Sequence, residues 1–464
     1  MSKPMQERLH PAAAVDTPLA AHASEPTGPP RMAQRHQPVA ASTDAPVPRA
    51  FDEPTGRLDG KTGVFVFLAF AAAYFSSALV RSITATLSPV LTQEFALQAR
   101  DLGLLGGGYF LGFAAMQLPL GRWLDRHGPK RVILYFLSLA VLGCLAFSLA
   151  GSFAWLLAAR VLIGMGVGAC LMAPLTGYRR WFDAPTLMRA NSWMLMTGSL
   201  GMLASTLPVQ WLMPLTGWRP LFWILAALIV LSMAAIALVV PSWRPAPGAQ
   251  RATPVSPDDH SYASVWRNRF FQKMSPLAFF NYGGLVAVQT LWAGPWMVKV
   301  AGYTALESAT GLFYINAAML VTFWGWGLAN PWLARHGWSA SRLIGWGVPV
   351  SLLVLAVNIA QGASTGWPGW ALYCVASSVM GLAQPAVGMA FKASLAGRAL
   401  SGYNLMIFSG VFVVQWGIGL LVDAFASMGL PPVASFQAAM GVFLACCIAA
   451  YGYFLSVNVD NPAS

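Results

Sequence analysis

Two arginines carry the strongest chemical signal in this sequence. Arg81 lies in an apolar run that begins near Gly63, and Arg160 opens the stretch Arg160-Val-Leu-Ile-Gly164-Met-Gly166-Val-Gly168. An ionised arginine at the centre of a lipid-spanning helix costs about 2.5–3.5 kcal/mol to insert, so it is kept when it is paired or when it works. No Asp, Glu or His falls in the middle of a long apolar run. Asp423 comes nearest, and Glu94, Asp101 and Glu307 belong to connecting loops. The interior therefore holds positive charge without a fixed anion. A planar guanidinium suits oxyanions that accept two hydrogen bonds, so the simplest completion is an anion that arrives as substrate. The competing reading of Arg81 is a side chain that snorkels to the membrane interface. For Arg160 the structural reading, a tie between neighbouring helices, is the stronger one.

A second cluster is a turn. Leu120-Gly121-Arg122-Trp123-Leu124-Asp125-Arg126-His127-Gly128-Pro129-Lys130-Arg131 sits between two apolar runs, and Asp125 is the only acid in it. Glycines permit a sharp turn at low steric cost. A lone acid among basic side chains is placed to grip something specific. The bland alternative is a basic turn that only sets topology.

The elements that must position these residues are membrane helices. The chain has 464 residues, 57% of them hydrophobic and only 9% charged, which excludes a soluble domain. A spanning helix needs about 20 mostly apolar residues. Twelve such runs are predicted, at about 63–90, 103–122, 131–150, 153–177, 190–213, 218–241, 272–297, 308–333, 342–361, 369–393, 402–425 and 434–456, with ends uncertain by about 2–4 residues. The net charge of +12 does not mark a nucleic-acid face, because the cations alternate between loops. Arg122, Arg126, Lys130, Arg131, Arg179, Arg180, Arg189, Arg335, Arg342 and Arg398 crowd one set of loops. The other set carries Arg100, Arg219 and Lys299. The positive-inside bias then predicts that both termini are cytoplasmic.

Cys144, Cys170, Cys374, Cys446 and Cys447 all lie inside predicted spans and form no Cys-x-x-Cys pair, so they read as packing residues rather than disulfides or metal ligands. Residues 1–61 show no period and no apolar signal-peptide core and read as a disordered cytoplasmic tail. Residues 62–241 and 271–457 are predicted as two six-helix bundles joined by a cytoplasmic linker over 242–270. No nucleophile–base–acid set or metal cluster lies within the spans, so the sequence does not predict an enzyme and implies no cofactor.

The turn pattern Gly-x-x-x-Asp-Arg-x-Gly-x-Lys-Arg resembles the signature loop between helices two and three of the major facilitator superfamily of secondary transporters. In that family the loop is a cytoplasmic gate latch. The resemblance implies a gating role for Gly121, Asp125, Arg126 and Gly128, with Asp125 at the N-terminus of span eleven near Arg398, where a helix dipole favours an acid. The Arg160-to-Gly168 stretch resembles the family's second signature, in which the arginine often ties span four to span one and Gly164 and Gly168 share a helix face. A partial second copy, Asn330-Pro-Trp-Leu-Ala334-Arg335-His336-Gly337, lacks the acid. Val209-Gln210-Trp211 recurs as Val414-Gln415-Trp416. These echoes support a duplicated architecture. The Gly-Pro-Gly-Gly run that marks proton-linked drug exporters is absent from span five.

The N-terminal half is most similar to the anion-handling branch, whose organophosphate exchangers carry a phosphate-binding arginine in the first helix with a proline eight residues on, as Arg81 and Pro89 stand here. The second arginine that those exchangers place in span seven is missing from Asn281-Tyr282-Gly-Gly-Leu-Val-Ala-Val-Gln289-Thr290-Leu-Trp292. One arginine with Gln289, Asn281 and aromatic side chains fits a monoanion such as a carboxylate. Tyr74 shares a helix face with Arg81, and Gln384 lies on span ten, which lines family cavities. The expectation is an all-α inner-membrane carrier, twelve transmembrane helices in two pseudo-symmetric six-helix bundles. It would move a small organic anion by alternating access as a monomer in the lipid bilayer, with no nucleic-acid partner. Substrate contacts fall to Arg81, Tyr74, Gln289, Trp292, Asn281 and Gln384. Rival readings are a drug or metabolite exporter and a non-transporting membrane sensor.

Overall fold

The computed structural model describes residues 58, 60–242 and 262–457, all within one compact unit, Thr55–Ser464. The expected tail over 1–61 falls almost wholly outside these residues, as does most of the expected linker.

Ten helices are long and apolar enough to cross a membrane: α1 (Gly60–Phe95), α2 (Ala99–Leu124), α3 (Arg126–Ser148), α4 (Phe153–Trp181), α6 (Trp218–Val239), α8 (Ala305–Leu333), α9 (Ala340–Ser364), α10 (Trp367–Met389), α11 (Leu395–Ser427) and α12 (Pro432–Ser456). Two further spans are interrupted. α5 comprises Ala184–Ala204 and Leu207–Thr216, and α7 runs from Arg269–Pro276 to Ala293–Lys299 through two π-helical segments, Leu277–Tyr282 and Val288–Trp292. The chain is thus an all-α membrane protein of twelve spans in two six-helix halves, α1–α6 and α7–α12, and the described residues contain no strand.

Local chemistry explains the starts and breaks. Polar side chains cap helix N-termini: Ser152 accepts from Trp155 N (3.4 Å), Asp183 from Thr186 N (3.3 Å) and Ser339 from Arg342 N (3.2 Å). In α5, Pro208 has no N–H to continue the ladder. The hydroxyls of Ser205 and Thr206 turn back onto the carbonyls of Met202 (2.7 Å) and Leu203 (2.6 Å), and Ser205 O accepts from Thr86 Oγ1 of α1 (2.8 Å). The break is therefore satisfied inside the protein, as a lipid environment requires.

The turn between α2 and α3 is tighter than a loop. Helical bonding runs from Ala99 to Ser148 and only Gly128 leaves it, at φ 74° and ψ 165°. That left-handed backbone disfavours any residue with a Cβ. Pro129 follows at the start of α3, where a missing N–H costs nothing. Gly121 has nothing near the position of a Cβ, so its place in the motif has no packing cause here.

Candidate functional site

Arg160 is buried, and both its terminal nitrogens find acceptors while its Nε has none. Its Nη1 donates to the Val80 carbonyl (2.9 Å), and its Nη2 donates to the Arg81 carbonyl (3.3 Å) and to Thr84 Oγ1. The guanidinium also lies over the Tyr109 ring at 5.2 Å. α4 reaches these partners because Gly164 packs against the backbone of α2, with Tyr109 Cα 3.0 Å from where a Cβ would stand. Gly166, which the sequence pattern did not single out, meets Ala140 of α3 as tightly. Gly168 is less crowded, its nearest neighbour being the Met165 carbonyl at 3.3 Å from where a Cβ would stand.

Arg81 lies one helical turn before the Ala85–Ser88 hydrogen bond of α1 and is half-buried. Its guanidinium meets the Met202 sulfur through Nη2 at 3.7 Å, and its buried Nε has no acceptor. Among the described residues no carboxylate pairs with it; the ion pairs found are Arg219–Glu94 (2.6 Å) and Arg100–Asp101 (3.9 Å), both away from it. Tyr109, under the Arg160 guanidinium, is 1% exposed, Tyr282 on α7 is half-buried and Tyr403 on α11 is fully buried. The Tyr109 and Tyr403 hydroxyls are buried without a hydrogen-bond partner. A cation whose terminal nitrogens meet no oxygen acceptor can hold an oxyanion, and phenols on other helices can hydrogen-bond a ligand's remaining groups.

The remaining expected contacts divide. Tyr74 is buried at 8% exposure against Gly198 of α5, and a Cβ on Gly198 would meet the ring at 2.6 Å. Asn281 is buried with Oδ1 unpartnered. Gln289 donates to Asn316 Oδ1 (3.0 Å), and Gln384 donates to Asn404 Oδ1 (2.9 Å), so each carboxamide spends one of its two N–H donors between helices. Trp292 has no exposed surface and its indole N–H donates to the Gln415 carbonyl (3.1 Å), so in this conformation it supports α7 and offers nothing to a ligand. Asn281 and Gln289 sit on or beside the π-helical segments of α7. Such segments are frequent at functional sites. The sequence hints at them only through Pro276, Gly283-Gly284 and Pro295.

In the α2–α3 turn, Arg122, Trp123, Arg126 and His127 are exposed, and Arg398 on α11 is half-buried with a partner of its own. The Asp125 side chain lies outside the described set. Lys130 donates to the Val240 carbonyl (2.7 Å) just past the end of α6. A cation there complements the helix dipole and pins the turn. Lys130, Tyr282, Tyr109 and Thr84 are the residues that sequence reasoning passed over. Lys130 was visible inside the turn motif, whereas the other three carry no signal until the helices pack. Among the described residues no three His, Cys, Asp or Glu side chains group to hold a metal.

The profile described as Major Facilitator Superfamily matches residues 70–415. A probable sulfoacetate transporter of Cupriavidus necator is 24% identical over 264 residues, 54% of this chain and 60% of that protein. The hexuronate transporter of Escherichia coli K12 is 28% identical over 150 residues, 32% of this chain and 35% of that protein. The multidrug resistance protein MdtL of Escherichia coli O6 is 24% identical over 376 residues, 75% and 91% of the two chains. The chain thus spans less than two thirds of the length of the first two. Among solved structures, a bacterial homologue of the human lysosomal transporter Spinster aligns with TM-score 0.69 and 17% identity over 86% of this chain and 97% of that one. A D-xylose–proton symporter aligns with TM-score 0.68 and 13% identity over 86% and 99%. These likenesses establish the fold.

Proposed function

The chain belongs to the Major Facilitator Superfamily, and from that premise we propose that it is a secondary transporter of a small organic anion, with Arg81 as the principal anion ligand. The observation that carries the reading is the Arg81 guanidinium itself: half-buried in α1, without a carboxylate partner, its terminal nitrogens meeting only the Met202 sulfur. A carboxylate or sulfonate oxygen would supply what the protein does not. Tyr74, Tyr282 and Asn281 stand closest in chemistry and placement to the rest of the ligand, with Gln289, Trp292 and Gln384 holding the walls. The sulfoacetate and hexuronate transporters named among the relatives move anions of this class.

The cycle is alternating access of the two halves about a central site. Residues 62–241 and 271–457 are the moving bodies, 242–270 the linker, and the Asp125 turn with Arg126, Gly128 and Arg398 the gate at the basic, cytoplasmic end. The protein sits in the inner membrane with both termini inside, because Lys and Arg crowd the loops at that end. A reporter fused after Ser242 scores as cytoplasmic on this reading. A periplasmic score would reverse it.

The test is binding. Purified protein is titrated with sulfoacetate, glucuronate, galactonate and inorganic phosphate, and thermal stabilisation is read for wild type and Arg81→Ala. A small organic anion that raises the melting temperature of wild type and not of Arg81→Ala supports the reading. Equal stabilisation of both proteins by every anion would overturn it. A second reading, export of drugs or metabolites, is favoured by the MdtL relative, which is matched over 91% of its length. It predicts stabilisation by lipophilic cations and a resistance phenotype independent of Arg81.

A further inference from the structure

The two halves meet most tightly at the end of the bundle where α2 begins and α11 finishes, opposite the Asp125 turn. Two glycines of α11 and α7 and three of α2 set the approach. A Cβ on Gly419 would strike the Ala99 carbonyl and stand 2.8 Å from Arg100 Cα. A Cβ on Gly103 would strike the Gln415 carbonyl; on Gly106 it would stand 2.8 Å from Leu291 Cδ2, and on Gly107 3.0 Å from Phe412 Cδ2. Gly294 of α7 stands equally close to Ala85 of α1, at 3.0 Å from its carbonyl. Backbones in such contact have no room for a side chain, a solvent layer or a substrate.

One acid spans this seam. Asp423 of α11 accepts from the backbone N–H of Ala99 through Oδ1 (3.1 Å) and from that of Arg100 through Oδ2 (2.9 Å). Ala99 and Arg100 are the first two residues of α2, and their N–H groups have no partner within their own helix. Within the helix's own first turn, Asp101 reaches back to the Gln98 N–H (3.0 Å), which leaves the Ala99 and Arg100 donors to Asp423. α2 therefore borrows an acceptor for its first two donors from the opposite half, and the carboxylate sits at the positive end of the helix dipole.

We propose that Asp423 is a conformational latch, holding this end closed and releasing when the halves part. This rests on the alternating-access reading above, and it gives that reading its second gate: Asp125 at the end of α2 would reach the start of α11 at one face, as Asp423 near the end of α11 reaches the start of α2 at the other. The two latches are then made alternately. Opening the Asp423 end costs two charge-assisted hydrogen bonds whose donors pass to water.

The experiment measures the separation of the halves at this end. Spin labels are placed at Gly151→Cys and Ser364→Cys, exposed positions on the two halves. The background is Cys446→Ala, since the other four cysteines are buried. Pulsed electron resonance then gives the ratio of long to short distances. Asp423→Asn keeps one acceptor oxygen but turns an amide donor towards the second N–H. Losing one charge-assisted bond is expected to raise that ratio about ten-fold, equivalent to about 1.4 kcal/mol. Gly419→Leu is the control that wedges the seam open whether or not Asp423 latches it. If Gly419→Leu lengthens the distance and Asp423→Asn leaves it as in wild type, the latch is wrong and alternating access stands. If neither variant lengthens it while both remain folded, the halves do not separate at this end, and both readings fall. In native membranes, where purification is not needed, Ala85→Cys reports the same event. Ala85 is buried beside Gly294 at this seam, and maleimide labelling should speed up about ten-fold with Asp423→Asn or Asp423→Ala. An unchanged rate in both variants overturns the latch.

Discussion

Arg160 and Arg81 are the same residue type placed in adjacent helices, and the protein treats them in opposite ways. Arg160 is 1% exposed and its two terminal nitrogens reach two carbonyls and a hydroxyl of α1, with an aromatic face against the guanidinium. Both leave a buried Nε without an acceptor, but Arg81 is half-buried and its terminal nitrogens touch only a thioether, at 3.7 Å. Both bear the cost of charge inside a membrane domain. Only Arg160 recovers it from protein partners. The difference shows that a buried arginine is not a functional site by virtue of burial; terminal nitrogens that meet no oxygen acceptor are what mark Arg81.

Breaking the structural side of the comparison should have the largest effect. Arg160→Ala removes the donors that join α4 to α1 and leaves a cavity beside Tyr109. The expected loss is about 2–4 kcal/mol of stability, seen as a lower melting temperature in detergent and a lower yield of monodisperse protein. Arg81→Ala, by contrast, should leave the melting temperature of unliganded protein within error of wild type while abolishing anion binding. A variant set in which Arg81→Ala melts early and Arg160→Ala binds normally would exchange the two roles.

The next change sharpens the anion side. Arg81→Lys keeps the charge and replaces a planar fork with a single ammonium. A charge-assisted hydrogen bond of this kind is worth about 1.5–3 kcal/mol, so affinity should fall about ten- to a hundred-fold. A snorkelling arginine predicts no change, because lysine snorkels equally well. Titration of the anion identified by thermal shift, on both proteins, separates the outcomes.

How much of this was legible beforehand follows from the range of each interaction. The twelve spans were readable because a membrane helix is a local statistic of about 20 residues. The interruptions of α5 and α7 were not read, although Pro208 and Pro276 stand in the sequence, because a proline in a membrane helix can be bridged or can break it, depending on neighbours such as Thr86 and Ser205. The tie between Arg160 and α1 could be suggested only by resemblance, since its acceptors are backbone carbonyls that any sequence possesses. Tyr282 and Asp423 were quoted in the sequence without roles. Their partners lie hundreds of positions away, as with Asp423 and Ala99, 324 residues apart.

The turn between α2 and α3 offers a milder test. Asp125→Asn should reduce transport in proteoliposomes several-fold with no loss of folded protein, by weakening the closed state of the cytoplasmic gate. Lys130, bonded to Val240 at 2.7 Å, serves as the comparison: Lys130→Met should loosen the turn and lower the melting temperature. If Asp125→Asn transports at the wild-type rate at equal reconstitution, the turn sets topology and nothing more.

The smallest effect is expected at Gln384. One N–H of its amide already donates to Asn404 at 2.9 Å, and that bond fixes the side chain between α10 and α11. Interhelical bonds of this type average about 0.6 kcal/mol in membranes, which corresponds to a factor of about three. Gln384→Ala should therefore lower stability by about that amount and change anion affinity by less than about three-fold. A double-mutant cycle with Asn404→Ala isolates the pair: the double variant should be no less stable than the sum of one broken bond, and affinity should track stability. An affinity loss of about ten-fold or more for Gln384→Ala, with stability unchanged, would instead place Gln384 on the ligand beside Arg81, engaged with Asn404 only while the site is empty.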